Sequence, residues 1–193
     1  MEERLRKVLA RHKKRHLYRP ERVRSAVLVP LFWQEDGCHI LFIRRAQEVQ
    51  HHKGQMAFPG GVFQPRDVTA LNTALRESAE EIGLLSKDAE ILGELDDVIT
   101  TTSNFVISPF VARIPWPYCF LIDHGETEEI ITAPLALGDQ ANLRLEDEMV
   151  GGEKVRTLTY HYRGNVIWGA TARILTQLLE VMGRAETQEN RLP

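Results

Sequence analysis

The chain has 193 residues, 43% of them hydrophobic, which is enough apolar material for the core of one domain of ordinary size. A net charge of −3 and a pI near 6.2 give no broad basic field for a phosphate backbone; nucleic acid is not the expected partner, but a small anionic substrate remains open. Cys38 and Cys119 stand far apart with no CxxC spacing, so neither a disulfide framework nor a zinc site is expected, and a reducing cytoplasm suits the chain.

The first residues, MEERLRKVLARHKKRH, are too charged for a secretory leader, and no run approaches the ~20 apolar residues of a membrane span. A soluble protein without membrane contact is the expectation. Leu5, Val8 and Leu9 recur at helical spacing and predict a short amphipathic helix, followed by the basic stretch KKRHLYRPERVR, which Pro20 interrupts. Residues 1–24 therefore read as a helix and linker with solvated charge. SAVLVPLFW and CHILFIRR, separated by the turn sequence QEDG, predict a hairpin with strands near 25–33 and 38–45. Further strands are expected at AEILGELDDV, VISPFVARI and EEIITAPL, and TYHYRGNVIWG reads as another hairpin. A closing helix over 167–183 carries Ile174, Leu178 and Val181 beside Leu175, Leu179 and Met182, a stripe suited to core packing. Residues 25–183 form one domain on this reading, and 184–193 a polar tail. Strands, helix, strands and helix in that order predict mixed α/β layers with the sheet between helices.

Between the second and third strands, RESAEEIGL (Arg76 to Leu84) places Glu77, Glu80 and Glu81 within one helical turn. Like charges at such spacing each cost about 0.2–0.5 kcal/mol, so a positive partner is expected. Leu71, Leu75, Ala79 and Ile82 fall on the opposite side, which predicts an amphipathic helix with its acidic face outward. Asp67 or Thr69 can cap its start, and Gly83 can take the left-handed conformation that ends it, with Leu84 packing back. Periodicity alone also permits a merely solvated acidic face. Just upstream, Gly54, Gly60 and Gly61 with Pro59 let the chain turn sharply where backbone approaches a ligand. Carboxylates and a loop carbonyl are the hard donors that Mg²⁺ or Mn²⁺ prefer, and such ions also bind substrate phosphates. Arg76 lies beside Glu77 and can orient one carboxylate.

From Gly61 to Leu84 the sequence resembles the Nudix hydrolases, whose signature is G-x5-E-x7-R-E-U-x-E-E-x-G-U with U aliphatic. Arg76, Glu77, Glu80, Glu81, Gly83 and Leu84 match it; Ser78 replaces an aliphatic residue, Asp67 replaces the first Glu, and one extra residue precedes Arg76. The stretch RAQEVQHHKGQMAFPGG is similar to the coenzyme A pyrophosphatase branch at Arg45, Ala46, Gly54, Phe58, Pro59, Gly60 and Gly61, with Gln50 where that branch has an arginine. LGELDDVITTTSNFVISPFV and IWGAT (Ile167 to Thr171) also look like that branch, so the resemblance covers roughly residues 25–180.

The resemblance implies a Nudix-type α/β/α sandwich and metal-dependent hydrolysis of the diphosphate of coenzyme A or acyl-CoA, giving 3′,5′-ADP and a 4′-phosphopantetheine product. Hydrolysis of ADP-ribose, NADH or another nucleoside diphosphate derivative is the alternative, and a Nudix module that senses a nucleotide without cleaving it is a third. Glu77 and Glu81, then Glu80, are the implied Mg²⁺ or Mn²⁺ ligands, with a carbonyl of Gly60 or Gly61. Arg76 completes the catalytic group. A distal carboxylate in GETEEIITAPL, Glu126 or Glu129 ahead of Glu128, is the implied base. Arg45, His52, Phe58, Gly60 and Gly61 are the implied substrate contacts, and Arg44, His51 and Lys53 lie among the cations that could receive phosphate. Asp96 and Asp97 either sit near the metal or simply end a strand, and are not counted among the site residues. A homodimer is plausible for such a fold.

Overall fold

The structure is a computed structural model that describes residues 2–46, 54–101, 103–138, 142–150 and 153–189. Helix α1 spans Glu2–Arg11, α2 Ala70–Ile82 and α3 Gly169–Glu189. The strands are β1 Val23–Gln34, β2 Gly37–Arg45, β3 Met56–Ala57, β4 Gly60–Val62, β5 Glu90–Glu94, β6 Val98–Ile99, β7 Phe105–Arg113 and β8 Thr127–Pro134. After them come β9 Leu143–Val150, β10 Glu153–Tyr162 and β11 Asn165–Ile167.

Among the described residues, β1 to β8 make one mixed sheet in the order β3-β2-β1-β7-β5, with β4 added to β1, β6 to β7 and β8 to β2. The expected hairpin is β1–β2, closed by the pair Gln34↔Gly37 around Glu35 and Asp36. The central pairing of β1 with β7 is parallel, so both strands are covered on both faces, which is why their sequences run nearly continuously apolar. Ala26, Leu28 and Phe32 of β1 and Leu41 and Ile43 of β2 face α2. Val29, Leu31, Ile40 and Phe42 face the opposite way, into a cluster with Ile174, Leu175 and Leu178 of α3. The sheet thus lies between helices, and each fully buried Leu, Ile or Phe contributes about 1.5–3 kcal/mol. Pro30 stands where the ladder of β1 passes from β2 (last pair Leu31↔Ile40) to β4 (first pair Val27↔Gly60), so its missing N–H removes no bond to either.

The expected boundary at residue 24 is a change of composition and not of packing. Leu5 and Leu9 of α1 are buried in the same cluster as α3. The basic stretch that follows is docked as well. Lys14 Nζ lies 3.1 Å from Asp97 and 2.9 Å from Glu94, His12 Nε2 lies 2.9 Å from Asp96, and the Leu17 N–H donates to Asp97 Oδ2 at 2.9 Å. Asp96 and Asp97 thereby acquire a role as the anchor of the N-terminal segment. At the other end α3 continues to Glu189, beyond the apolar stripe that set the expected limit at 183. The second hairpin is β10–β11, closed at Tyr162↔Asn165, and β9 extends it to a separate three-stranded sheet. No helix among the described residues is long and apolar enough to cross a membrane.

Candidate functional site

Helix α2 has the ends its sequence specifies. Thr69 Oγ1 accepts from the Asn72 N–H at 3.1 Å, a cap worth about 1 kcal/mol, and Gly83 ends the helix at φ 70°. Its rotation differs from the expectation. Thr73, Ala74, Ser78, Glu81 and Ile82 are buried, whereas Leu71, Leu75 and Ala79 are only half-buried. The packed arc therefore lies roughly 90° from the one that hydrophobicity selects. Ala74 and Ser78 are small enough to let α2 approach the sheet, and the Ser78 hydroxyl donates to Ala74 O at 2.7 Å, which satisfies it in place of the aliphatic residue of the motif.

This rotation carries Glu81 inside, to 1% exposure. Its Oε2 accepts from the Gly60 N–H at 2.9 Å, and its Oε1 lies 3.8 Å from Arg45 Nη1. Burial pushes the Glu81 carboxyl up to about 8, with the charges of Glu77 and Glu126 acting in the same direction. Glu77 is raised too, again chiefly by burial. Gly61 faces it closely: a Cβ there would stand 2.5 Å from Glu77 Oε2 and 2.6 Å from Oε1, so any larger residue would displace the carboxylate.

The cation that offsets this charge is Arg76. It binds Asp67 through two bonds, Nε to Oδ1 at 2.7 Å and Nη2 to Oδ2 at 3.0 Å. Nη1 lies 2.7 Å from Glu77 and 2.8 Å from Glu80, and Nη2 donates to Val62 O at 3.1 Å. Asp67, 4% exposed, also accepts from the Gln64 N–H at 2.8 Å and the Thr73 hydroxyl at 2.9 Å, and the Arg76 guanidinium holds its carboxyl well below the usual range. Between Asp67 and the helix, Val68 has φ 64° and ψ −47° and the Thr69 N–H bonds Asp67 O at 2.6 Å, a strained γ-turn. A β-branched residue there costs about 1–3 kcal/mol, partly cancelled by the extra unfolded-state freedom of glycine. Val68→Gly is accordingly expected to raise the thermal midpoint by roughly 2–4 °C, read by differential scanning calorimetry, with no change in activity; a lower midpoint would refute the strain.

Glu77, Glu81, Arg45, Phe58, Gly60 and Gly61 line one solvent-open cavity of about 420 Å³. Glu126 lines it as well, from the turn just before β8, while Glu129 is drawn off to Arg44, 2.8 Å away across the β2–β8 ladder. The structure thus separates the two distal glutamates. Glu80 is half exposed, held by Arg76 and Arg66, and does not line the cavity. Arg44 is engaged by Glu129 and by Asn165 at 2.6 Å. His52, with His51, Lys53 and Gln50, lies outside the described residues. Two stretches that the sequence signalled only by resemblance complete the wall: Thr100, Thr101, Ser103 and Phe105 after β6, and Trp168 to Thr171 at the start of α3.

Among the described residues no three His, Cys, Asp or Glu side chains form a ready metal cage; Arg76 engages Glu77 and the Gly60 N–H engages Glu81. The donor set nonetheless fits a hard divalent cation. Glu81 is a buried carboxylate and Glu77 a half-buried one; the charge of Glu77 adds to the upward push on Glu81, that of Glu126 acts on both, and a bound cation would reverse that direction.

This architecture is the Nudix fold. RenU, a Nudix hydrolase from M. smegmatis, superposes with a TM-score of 0.57 at 18% identity, covering 84% of this chain and 87% of that one. A MutT/nudix family protein from Enterococcus faecalis gives 0.56 at 15% identity, covering 90% and 71%. Residues 22–142 match the NUDIX domain. The Nudix hydrolase NudL of Photorhabdus laumondii, itself uncharacterized, is 31% identical over 157 residues, 81% of this chain and 83% of that protein. NudL of Yersinia enterocolitica is 33% identical over 164 residues, covering 81% and 80%. The chain belongs to the Nudix hydrolases, a family of enzymes that act on pyrophosphate bonds and generally use divalent metal ions.

Proposed function

We propose that the protein hydrolyses the diphosphate of coenzyme A or acyl-CoA, with Mg²⁺ or Mn²⁺, to 3′,5′-ADP and (acyl-)4′-phosphopantetheine. One observation carries this reading. Glu77, Glu81 and Arg45 line the same cavity as Thr100, Thr101, Ser103, Phe105 and Trp168 to Thr171, which fall in the segments that resemble the coenzyme A branch. The charged side chains suit a diphosphate, and Met56, Phe58, Phe105, Ile107 and Ile174 add apolar lining for the less polar part of a substrate.

In this reading Glu77 and Glu81 hold the cation, with Glu126 within reach of the same charge. A divalent ion there would neutralise charge developing on the diphosphate oxygens. Glu126, the distal carboxylate that lines the same cavity, accepts a proton from the attacking water as the water oxygen bonds to phosphorus and the bridging P–O bond breaks. Arg45 donates to phosphate oxygens, and Arg76 keeps Glu77 in place. Free Cys38 and Cys119 suit a reducing cytoplasm.

Gln50, standing where the coenzyme A branch has an arginine, favours the second reading, in which ADP-ribose, NADH or another nucleoside diphosphate derivative is the substrate. Purified protein incubated with Mg²⁺ or Mn²⁺ and coenzyme A, ADP-ribose or NADH in parallel, with products separated by chromatography, distinguishes them. Release of 3′,5′-ADP from coenzyme A at the highest kcat/KM is the expected result. Preferred turnover of ADP-ribose or NADH would move the substrate, and binding without turnover of any would favour a sensor.

A further inference from the structure

The turn between β6 and β7 forms part of the cavity wall, where Thr100, Thr101, Ser103 and Phe105 line it. The strands that carry this turn are a marginal support. β6 is two residues long and meets β7 only at Val98↔Ile107 and Ile99↔Val106. The turn has bonds of its own: the Thr100 N–H donates to Phe105 O at 3.0 Å, the Phe105 N–H donates to Thr100 Oγ1 at 2.9 Å, and the Thr100 hydroxyl donates to Ser103 O. Further support comes from outside it.

Two arginines bond consecutive carbonyls at the foot of the turn. Arg22 Nη1 donates to Thr100 O at 3.0 Å, and Arg173 Nη2, from α3, donates to Ile99 O at 2.5 Å. Neither arginine lines the cavity. Charged donors make stronger hydrogen bonds than neutral ones, and a planar guanidinium fixes direction as well as distance. The backbone beside Arg22 grips the other limb of the turn: the Val23 N–H donates to Asn104 O at 2.8 Å, and Asn104 Nδ2 donates to Glu21 O at 3.0 Å. Arg22 is itself delivered by the segment that Asp96 and Asp97 anchor through His12, Lys14 and Leu17. Arg173 sits in α3 just past Trp168 to Thr171, which also line the cavity.

We propose that Arg22 is a positioning residue for substrate binding: with Arg173 it holds the β6–β7 turn so that Thr100, Thr101, Ser103 and Phe105 stand where the substrate meets them. Arg22 works from behind the wall and touches neither substrate nor cation. Its bond falls on the turn and not on Glu77, Glu81 or Glu126, so it acts on affinity and not on the hydrolytic step. Part of the basic stretch that reads in the sequence as solvated charge thereby serves the cavity. The inference rests on the proposed function, because it takes this cavity as the site of the diphosphate substrate.

Arg22→Ala and Arg22→Lys test it by two readouts. Hydrogen exchange of the Phe105 amide, followed by NMR without substrate or metal, is expected to speed up about tenfold in Arg22→Ala and to return towards wild type in Arg22→Lys, which keeps a charged donor for Thr100 O. Unchanged exchange in Arg22→Ala shows a turn that holds itself and overturns the proposal. In turnover, Arg22→Ala is expected to raise KM about tenfold with kcat within about twofold of wild type, and Arg22→Lys to recover most of the loss. Faster exchange with wild-type KM, or a fall in kcat without a rise in KM, likewise overturns it. Wild-type protein is assayed alongside on coenzyme A, ADP-ribose and NADH with Mg²⁺ or Mn²⁺; if it binds without turnover, dissociation constants replace KM in the comparison. Neither turnover nor binding of any of the three defeats the proposed function and with it the role in substrate binding, while hydrogen exchange still decides whether Arg22 holds the turn.

Discussion

Glu81→Gln is expected to lower kcat by roughly 10³-fold while leaving KM for the diphosphate within a few-fold of wild type. The amide oxygen still accepts the Gly60 N–H that now bonds Oε2 at 2.9 Å, so the loop carrying Gly60 and Gly61 stays in place. What disappears is a carboxylate that can bind a cation. Stability is expected to move the other way. Glu81 is 1% exposed and burial pushes its carboxyl up to about 8, so its ionised form opposes folding, and the neutral amide removes that opposition. Without metal the variant should unfold at the same or a higher temperature than wild type. With Mg²⁺ or Mn²⁺ at 100 times its dissociation constant, wild type gains about 2.7 kcal/mol, or roughly 5–10 °C, and the variant gains little. Retained turnover would remove Glu81 from the chemistry. A fall of several degrees without metal would instead assign the lost activity to misfolding.

The elements legible in the sequence are those whose signal is local. β1 and β2 read as strands because burial on both faces leaves unbroken apolar runs around a two-residue turn, and α2 reads as a helix because Thr69 and Gly83 mark its ends. The rotation of α2 was not legible, since its buried face includes Thr73, Ser78 and Glu81, polar residues whose partners at Asp67, Ala74 and Gly60 come only with the fold. The same limit applies to the distal glutamates. A bulge between Arg44 and Arg45 sets Arg44 against Glu129 and Arg45 against Thr127, and that register decides which glutamate meets the cavity. β9 is hard to read because Asp147 stands where the alternation of Leu143 and Leu145 with Arg144 and Glu146 calls for an apolar residue. Docking of the basic segment depends on Asp96 and Asp97, some 80 residues along the chain, which no window on the segment itself contains.

Arg76→Ala is expected to be the most damaging single change outside the apolar core, because three carboxylates lose one cation. Asp67, its side chain 2% exposed, would be left as a buried charge without a partner, a loss of about 3–5 kcal/mol, or roughly 10 °C in thermal midpoint. Glu77 would lose the guanidinium 2.7 Å away and turn from the face of Gly61, so kcat should fall as well. Asp67→Asn combined with Arg76→Ala separates the two effects. With no lone charge buried at 67, the double variant should unfold at a higher temperature than Arg76→Ala alone yet remain as inactive, since Glu77 is still unsupported. Acid provides an independent check. The Asp67 carboxyl is held well below its ordinary value in the folded protein, so its contribution is complete above the unfolded value near ~3.9 and is lost as pH falls below that toward the folded one. In Arg76→Ala the same carboxyl, buried without a partner, favours its protonated form, and acid relieves it. The stability gap between wild type and Arg76→Ala should therefore be widest near neutral pH and narrow below about pH 4. A gap independent of pH would mean that Arg76 stabilises the fold through its packing and its bond to Val62 O, and not through the charge of Asp67.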